Sequence, residues 1–234
     1  GLVLSDREKY LVNKALDSNR LTYGLMSKEF ENKFAASHNC KYGLFMNSGT
    51  SALQVALASL KDRHGWSDGD EVIVPAVTFV ATANIVLHNN MVPIFVDVEK
   101  ETYNIDPSKI EEKITNKTKA IIVVSLYGLP VDMDPIMRIA QKYNLMVIDD
   151  SAETLMTRYK NKIAGTHADV GVYSFEKSKH MTSGSEGGMV TTDDEYLATQ
   201  IRKFAGIGYK GLTATSGRTS LASSIYQDPE YERF

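Results

Sequence analysis

Residues 42–60 read YGLFMNSGTSALQVALASL. The run Tyr42 to Met46 is short and apolar, as a buried strand requires, and residues 50–60 then carry apolar side chains at helical spacing. Between the two lies Asn47-Ser48-Gly49-Thr50-Ser51-Ala52. A segment joining a strand to a helix presents free backbone N–H groups and the positive end of the helix dipole, and so can hold a phosphate. An ordinary turn with a Ser/Thr cap has the same pattern. On its own the segment leaves both readings open.

Outward from this unit, strand and helix signals alternate. Apolar runs at residues 71–74, 94–96, 120–125 and 146–149 are separated by helical patterns at 50–60, 79–88, 106–114 and 133–143. That alternation predicts an α/β fold with a mostly parallel sheet covered by helices. Toward the amino end, Ser5 with Glu8 forms a capping-box pattern for a helix from Asp6 to about Asn19. A second helix over residues 27–38 places Phe30 and Phe34 on one face. Asp106-Pro107 supplies a cap with a first-turn proline, and Thr192 with Glu195 predicts a capped helix over 193–204. Residues 211–234 are rich in Ser, Thr and Gly and read as a loop or linker, leaving 1–210 as one large domain with a helical amino-terminal segment.

Composition narrows the partners. A chain of 234 residues that is 43% hydrophobic can bury a sizeable core. Its net charge is -3 and it has no basic block, so nucleic acid is not an expected partner; small molecules and other protein chains are. No apolar run is long enough to span a membrane. Cys40 is the sole cysteine and excludes an internal disulfide, and the first residues lack the layout of a signal peptide, so the expected location is cytoplasmic. The 5 histidines show no metal-ligand spacing, and no metal is expected. Asn116-Lys117-Thr118 matches a glycosylation acceptor by chance if the protein is not secreted.

Three further segments carry chemistry. Asp149 and Asp150 end an apolar run, and as neighbours on a strand they face opposite ways, so they do not share a proton. A carboxylate at the carboxyl end of a parallel strand stands where ligands of open α/β sheets gather, although it can equally cap the next loop. The stretch Ser174-Phe175-Glu176-Lys177-Ser178-Lys179-His180 offers two lysines ahead of Gly184-Ser185-Glu186-Gly187-Gly188. Lysine can form a Schiff base with an aldehyde cofactor, but most lysines are solvated surface charges. Gly206-Ile207-Gly208-Tyr209-Lys210-Gly211 has the dinucleotide spacing, yet it follows a helix instead of a strand and reads as a chance loop.

Taken in order, MNSGTSALQVALA, GDEVIVPAVTFVATANIV, PIFVDVEKETYNIDP, KAIIVVSLYGLPVDMDPI, VIDDSAE, ADVGVYSF and SKHMTSGSEGGMVTT resemble the DegT/DnrJ/EryC1/StrS family of sugar aminotransferases, from about Leu21 to Phe204. The resemblance implies the aspartate-aminotransferase-like fold (fold type I), pyridoxal phosphate (PLP, with its amine form PMP) as cofactor, and a homodimer. It implies that Lys179 binds the cofactor covalently and that Asp150 pairs with its pyridine nitrogen. Thr50, Ser51 and Ser174 match phosphate-binding positions, Phe79 the aromatic stacked on the ring, and Glu153 the position over the ring near its 3-hydroxyl. Many members carry Gln there, so Glu153 is a variation. Lys177 lies at the wrong distance from Glu186 to match the family's lysine, and His180 receives no role.

The implied activity is transfer of an amino group from an amino acid, glutamate by expectation, to a nucleotide-linked keto-sugar. The setting is amino-sugar synthesis for a surface glycan such as O-antigen or lipopolysaccharide. Two rivals stand beside it. Sibling enzymes dehydrate the sugar with a histidine in place of the lysine, which Lys179 opposes. A non-enzymatic regulatory protein would need an effector such as a DNA-binding helix pair, and the sequence has no such signal. Family members are longer, and the resemblance implies a smaller carboxyl-terminal domain in addition to this chain.

Overall fold

The computed structural model describes residues 3–18, 21–206 and 208. Helix α1 (Asp6–Asp17) starts at Ser5, whose backbone N–H donates to Glu8 Oε2 at 2.7 Å, and none of its residues is buried. Helix α2 (Leu25–Ser37) leads into strand β1 (Tyr42–Met46) and helix α3 (Gly49–His64). The latter ends at Gly65, whose φ of 62° is the left-handed conformation that glycine accepts without strain. Next come β2 (Glu71–Pro75), α4 (Ala81–His88), β3 (Val92–Val96), β4 (Thr118–Val124), α5 (Met133–Tyr143) and β5 (Met146–Asp150). A small hairpin, β6 (Arg158–Tyr159) with β7 (Lys162–Ile163), precedes β8 (Val170–Ser174), β9 (Gly188–Thr192) and α6 (Glu195–Ala205).

The main sheet has 7 strands in the order β1-β9-β8-β5-β4-β2-β3. Strands β3, β2, β4, β5 and β8 are parallel neighbours, while β9 runs antiparallel to both β8 and β1. All but β9 therefore point the same way, and their carboxyl ends line one edge of the sheet. In open α/β sheets that edge is where ligands bind.

Alternation along the central strands feeds two cores. Ile122 and Ile148 pack with Leu57, Leu60 and Ile201, beneath α3 and α6. Their neighbours Ile121 and Val147 face the other way, onto Ile136 and Ile139 of α5. Burial on both faces is why these strands read as continuous apolar runs. At the amino-terminal side, buried Glu31 of α2 accepts from Phe45 N at 2.7 Å and pairs with Arg202 of α6 at 2.8 Å, so one carboxylate ties α2 to the edge strand and to α6.

Several expectations need correction. The helix expected over 106–114 is two single 3-10 turns, Pro107–Lys109 and Glu111–Lys113. Asp106 Oδ1 takes both the N–H and the hydroxyl of Ser108, closing a tight turn, and Ile110 then dives into the core. Helix α6 is capped by Asp194, which accepts from Leu197 N at 2.9 Å, while Thr192 belongs to β9. Phe79 lies two residues ahead of α4 instead of opening it. Strands β8 and β9 escaped the sequence reading, because each is a five-residue piece containing a glycine, Gly171 or Gly188. Of the dinucleotide-like segment 206–211, only Gly206, the residue that ends α6, and Gly208 are among the described residues; residues 211–234 lie outside them.

Candidate active site

The two adjacent aspartates at the end of β5 do separate. Asp149 turns to one face, where it accepts from Gly165 N at 2.8 Å and Ser151 Oγ at 3.0 Å and so anchors the connection beyond the β6–β7 hairpin. Asp150 turns to the other, toward α4. Its carboxylate accepts from Ala152 N at 3.2 Å and from Thr82 Oγ1 at 3.4 Å, and Thr82 in turn meets Thr78 Oγ1 at 2.9 Å. Burial pushes the Asp150 carboxyl up to about 6; the nearby Asp149 also raises it, against lowering by the Ala152 N–H and the Lys179 charge. No lysine, arginine or histidine among the described residues forms an ion pair with Asp150. A buried acid in that state is poised to accept a cationic group from a ligand.

Lys179 lies in the turn after β8, and its Nζ is 3.0 Å from Glu153 Oε1. The other oxygen, Glu153 Oε2, accepts from Tyr127 N at 2.7 Å. Burial works to raise the Glu153 carboxyl, but the bonds from Lys179 and the Tyr127 N–H outweigh it and hold the group below its ordinary range. Lys177 is exposed and makes no ion pair among the described residues, whereas Lys179 is folded inward. The turn is closed by Lys179 N donating to Glu176 O at 2.9 Å and Ser178 N donating to Glu176 Oε2 at 2.8 Å. Glu176, just ahead of the two lysines, therefore shapes the turn that sends them to different sides.

The start of α3 meets the same edge. Ser48 Oγ caps the helix by accepting from Ser51 N at 3.0 Å. A Cβ on Gly49 would stand 2.8 Å from Ser174 Cβ and 3.1 Å from its Oγ, so the glycine is what allows the end of β8 to touch the helix start. Gly188 does the same for β9, where a Cβ would lie 2.3 Å from Ser48 O. Ser51 and Ser174 are half-buried and Thr50 is exposed, which brings three hydroxyl side chains to one helix amino terminus. This cradle suits a phosphate.

Phe79 sits on the connection after β2 and is 70% exposed, an aromatic face with no ring partner among the described residues. The sequence reading missed Tyr103 and Tyr127, which meet edge to face with centroids 6.5 Å apart near Glu153 and have φ of 59° and 54°. No sequence pattern marks a left-handed tyrosine. The cleft lined by Cys40, Arg63, His64, Asp169 and Thr191 opens at the opposite edge of the sheet, so the candidate site is an open edge and not that cleft. Among the described residues no cluster could hold a metal ion, and no helix is long and apolar enough to cross a membrane.

A mostly parallel, mixed seven-stranded sheet flanked by helices is the large-domain fold of aspartate-aminotransferase-like enzymes. The chain belongs to the DegT/DnrJ/EryC1/StrS aminotransferase family, whose profile matches residues 3–222. It is 45% identical over 206 residues to a GDP-perosamine synthase of Escherichia coli, covering 88% of this chain and 55% of that protein. The chain thus spans about half the length of the curated relatives it matches. The X-ray structure of an aminotransferase from Psychrobacter cryohalolentis superposes with a TM-score of 0.82 at 41% identity, over 86% of this chain and 50% of that one. An E. coli GDP-4-keto-6-deoxy-D-mannose-3-dehydratase with bound hydrated PLP superposes with a TM-score of 0.80 at 32% identity, over 85% of this chain and 51% of that one.

Proposed function

We propose that this chain supplies the cofactor-binding part of a pyridoxal-phosphate-dependent aminotransferase that moves an amino group from an amino acid, glutamate in our reading, to a nucleotide-linked keto-sugar. The observation that carries it is the convergence of Lys179, Asp150 and the start of α3 on one sheet edge. The residues fit the cofactor: the Thr50, Ser51 and Ser174 hydroxyls suit its phosphate, the buried Asp150 suits a protonated ring nitrogen, and exposed Phe79 offers a face for stacking.

When bound, pyridoxal phosphate supplies a reactive aldehyde carbon and an electron-accepting ring. Lys179 would be the amine that holds it and, when free, a base able to move a proton at the reacting carbon. Asp150 would keep the ring nitrogen protonated. Glu153 would orient Lys179. The protein acts in our reading as a cytoplasmic homodimer in the synthesis of an amino sugar for a surface glycan such as O-antigen, with residues 1–210 as the large domain and 211–234 leading toward a smaller one. Similarity to a GDP-perosamine synthase supports a sugar nucleotide as acceptor.

Mixing the full-length protein with pyridoxal phosphate and glutamate, then with a panel of keto-sugar nucleotides, tests the proposal. Conversion of cofactor to its amine form by glutamate, reversed by one of the sugars, is the expected result. Loss of water from a sugar with no net amino transfer would replace it with the dehydratase reading, to which the 32% identical dehydratase structure belongs.

A further inference from the structure

Asn104 is 3% exposed and lies far from the sheet edge in sequence, in the loop after β3. Its side chain spends both ends on another loop: Nδ2 donates to Leu129 O at 3.0 Å and Oδ1 accepts from Leu126 N at 3.1 Å. Only one orientation of the amide satisfies both bonds, and neither a carboxylate nor an apolar side chain can. The bracketed residues form the single turn Leu126–Gly128, with Tyr127 inside it in the left-handed region. That is the residue whose N–H reaches Glu153 Oε2 at 2.7 Å. Asn104 is itself fixed by its own loop, with its N–H on Thr102 Oγ1 at 3.1 Å and its carbonyl accepting from Glu99 N at 2.9 Å. A continuous path of hydrogen bonds thus runs from Asn104 through the turn to Glu153 and on to Lys179.

We infer that Asn104 is a positioning residue for the Lys179–Glu153 pair: by clamping both ends of the turn it aims the Tyr127 N–H at Glu153 and so fixes the carboxylate against the lysine. The left-handed tyrosine supports this, since a non-glycine residue in that conformation costs free energy and persists only where its surroundings enforce it. The inference deepens the proposed function, because its consequence for chemistry rests on Lys179 being the cofactor lysine. The titratable groups that act on Glu153 are Lys179 and His180.

The first test needs no cofactor. In full-length protein carrying carboxyl-labelled glutamate, the Glu153 signal is assigned by its disappearance in Glu153→Gln and titrated by NMR. Asn104→Leu should move that titration upward, because the carboxylate loses the Tyr127 N–H, and Asn104→Ala, which removes the same clamp without adding a charge or bulk, should move it the same way. An unchanged titration in a variant whose melting curve shows it folded overturns the inference; if Asn104→Leu does not fold, Asn104→Ala decides by the same criterion. The second test is the rate at which pyridoxal phosphate and borohydride trap Lys179, read by peptide mass. Asn104→Leu should slow trapping by about tenfold, the scale of one lost hydrogen bond to a charged group. In the Glu153→Gln background it should add nothing, since residues acting through one another are not additive. Equal slowing in both backgrounds overturns the inference. Absence of Lys179 trapping in the unsubstituted protein overturns the cofactor reading instead, and the Glu153 titration still decides the role of Asn104.

Discussion

Lys179 Nζ and Glu153 Oε1 stand 3.0 Å apart across 26 residues of sequence, while Lys177, two positions before Lys179, stays on the surface. Neighbouring lysines are thereby made chemically unlike. Treatment with pyridoxal phosphate followed by borohydride should label the Lys179 peptide and spare Lys177. Lys179→Ala should abolish the label while leaving the fold intact, because a partly exposed ion pair contributes about 1 kcal/mol or less. Label retained on Lys177 in that variant would sink the assignment.

Asp150 should reveal itself through pH and stability. Its carboxyl is raised by burial from an ordinary 3.8 to about 6. The folded state therefore binds more protons than the unfolded state between those values, so its contribution is fully present below 3.8 and is lost as pH rises through about 6. Asp150→Asn removes that loss. Relative to the parent, the cofactor-free variant should gain stability between pH about 4 and about 7, by an amount on the order of 3 kcal/mol at ~1.4 kcal/mol per pKa unit. Asp149, also raised to about 6 by burial, remains in the variant and contributes a pH dependence of its own. Parallel melting profiles for parent and variant would refute the burial argument. Turnover should fall in the same variant, since Asn cannot hold the ring proton.

Glu31 should matter more than its distance from the site suggests. It is 4% exposed, and removing it takes the shared acceptor from half-buried Arg202 and from the Phe45 N–H together. Breaking a buried pair from one side typically costs about 3–5 kcal/mol. Glu31→Ala should lower the denaturant midpoint accordingly, and Glu31→Gln, which keeps an acceptor, should lower it less. Equal midpoints for the two variants would show that the acceptor kept by Gln contributes nothing, and midpoints equal to the parent's would refute the role of the pair.

The parts legible in the sequence were those governed by local periodicity. The strand-helix unit at residues 42–60 and the continuous apolar runs of β4 and β5 were readable because both faces of the sheet are buried. Position at the carboxyl end of β5 marked Asp149 and Asp150 as acids at the ligand edge, with a loop-capping role equally open, and the choice of Asp150 came from the resemblance. What stayed hidden depends on contacts distant in sequence. Nothing in residues 170–174 or 188–192 announces strands, since Gly171 and Gly188 are there to let other backbone approach: a Cβ on Gly171 would lie 2.0 Å from Gly165 O. Lys179 and Glu153 were placed by resemblance, and no periodicity could have paired them. Asn104 gave no signal at all, because both its partners come from a loop more than 20 residues away.

The proposed phosphate cradle offers a sharp steric test. Gly49 opens α3 with its Cα hydrogen directed at Ser174, and a methyl group there would meet Ser174 Cβ at 2.8 Å, closer than side chains tolerate. Relief requires the helix start to move from the end of β8, which would pull the Thr50 and Ser51 hydroxyls away from that of Ser174. Gly49→Ala should therefore weaken binding of pyridoxal phosphate far more than it weakens binding of pyridoxal, which lacks the phosphate. The difference should be on the order of tenfold or more, as expected for losing a hydrogen bond to a charged group. Gly69→Ala is the control: unlike Gly49, Gly69 has a φ of 84°, so alanine there carries backbone strain, but nothing lies within 4 Å of the added Cβ and the residue is remote from the site. Both variants should lose some stability, Gly69→Ala through strain and Gly49→Ala through crowding. Only Gly49→Ala should discriminate between the two ligands, and equal losses of affinity for both would show that the start of α3 does not hold the phosphate.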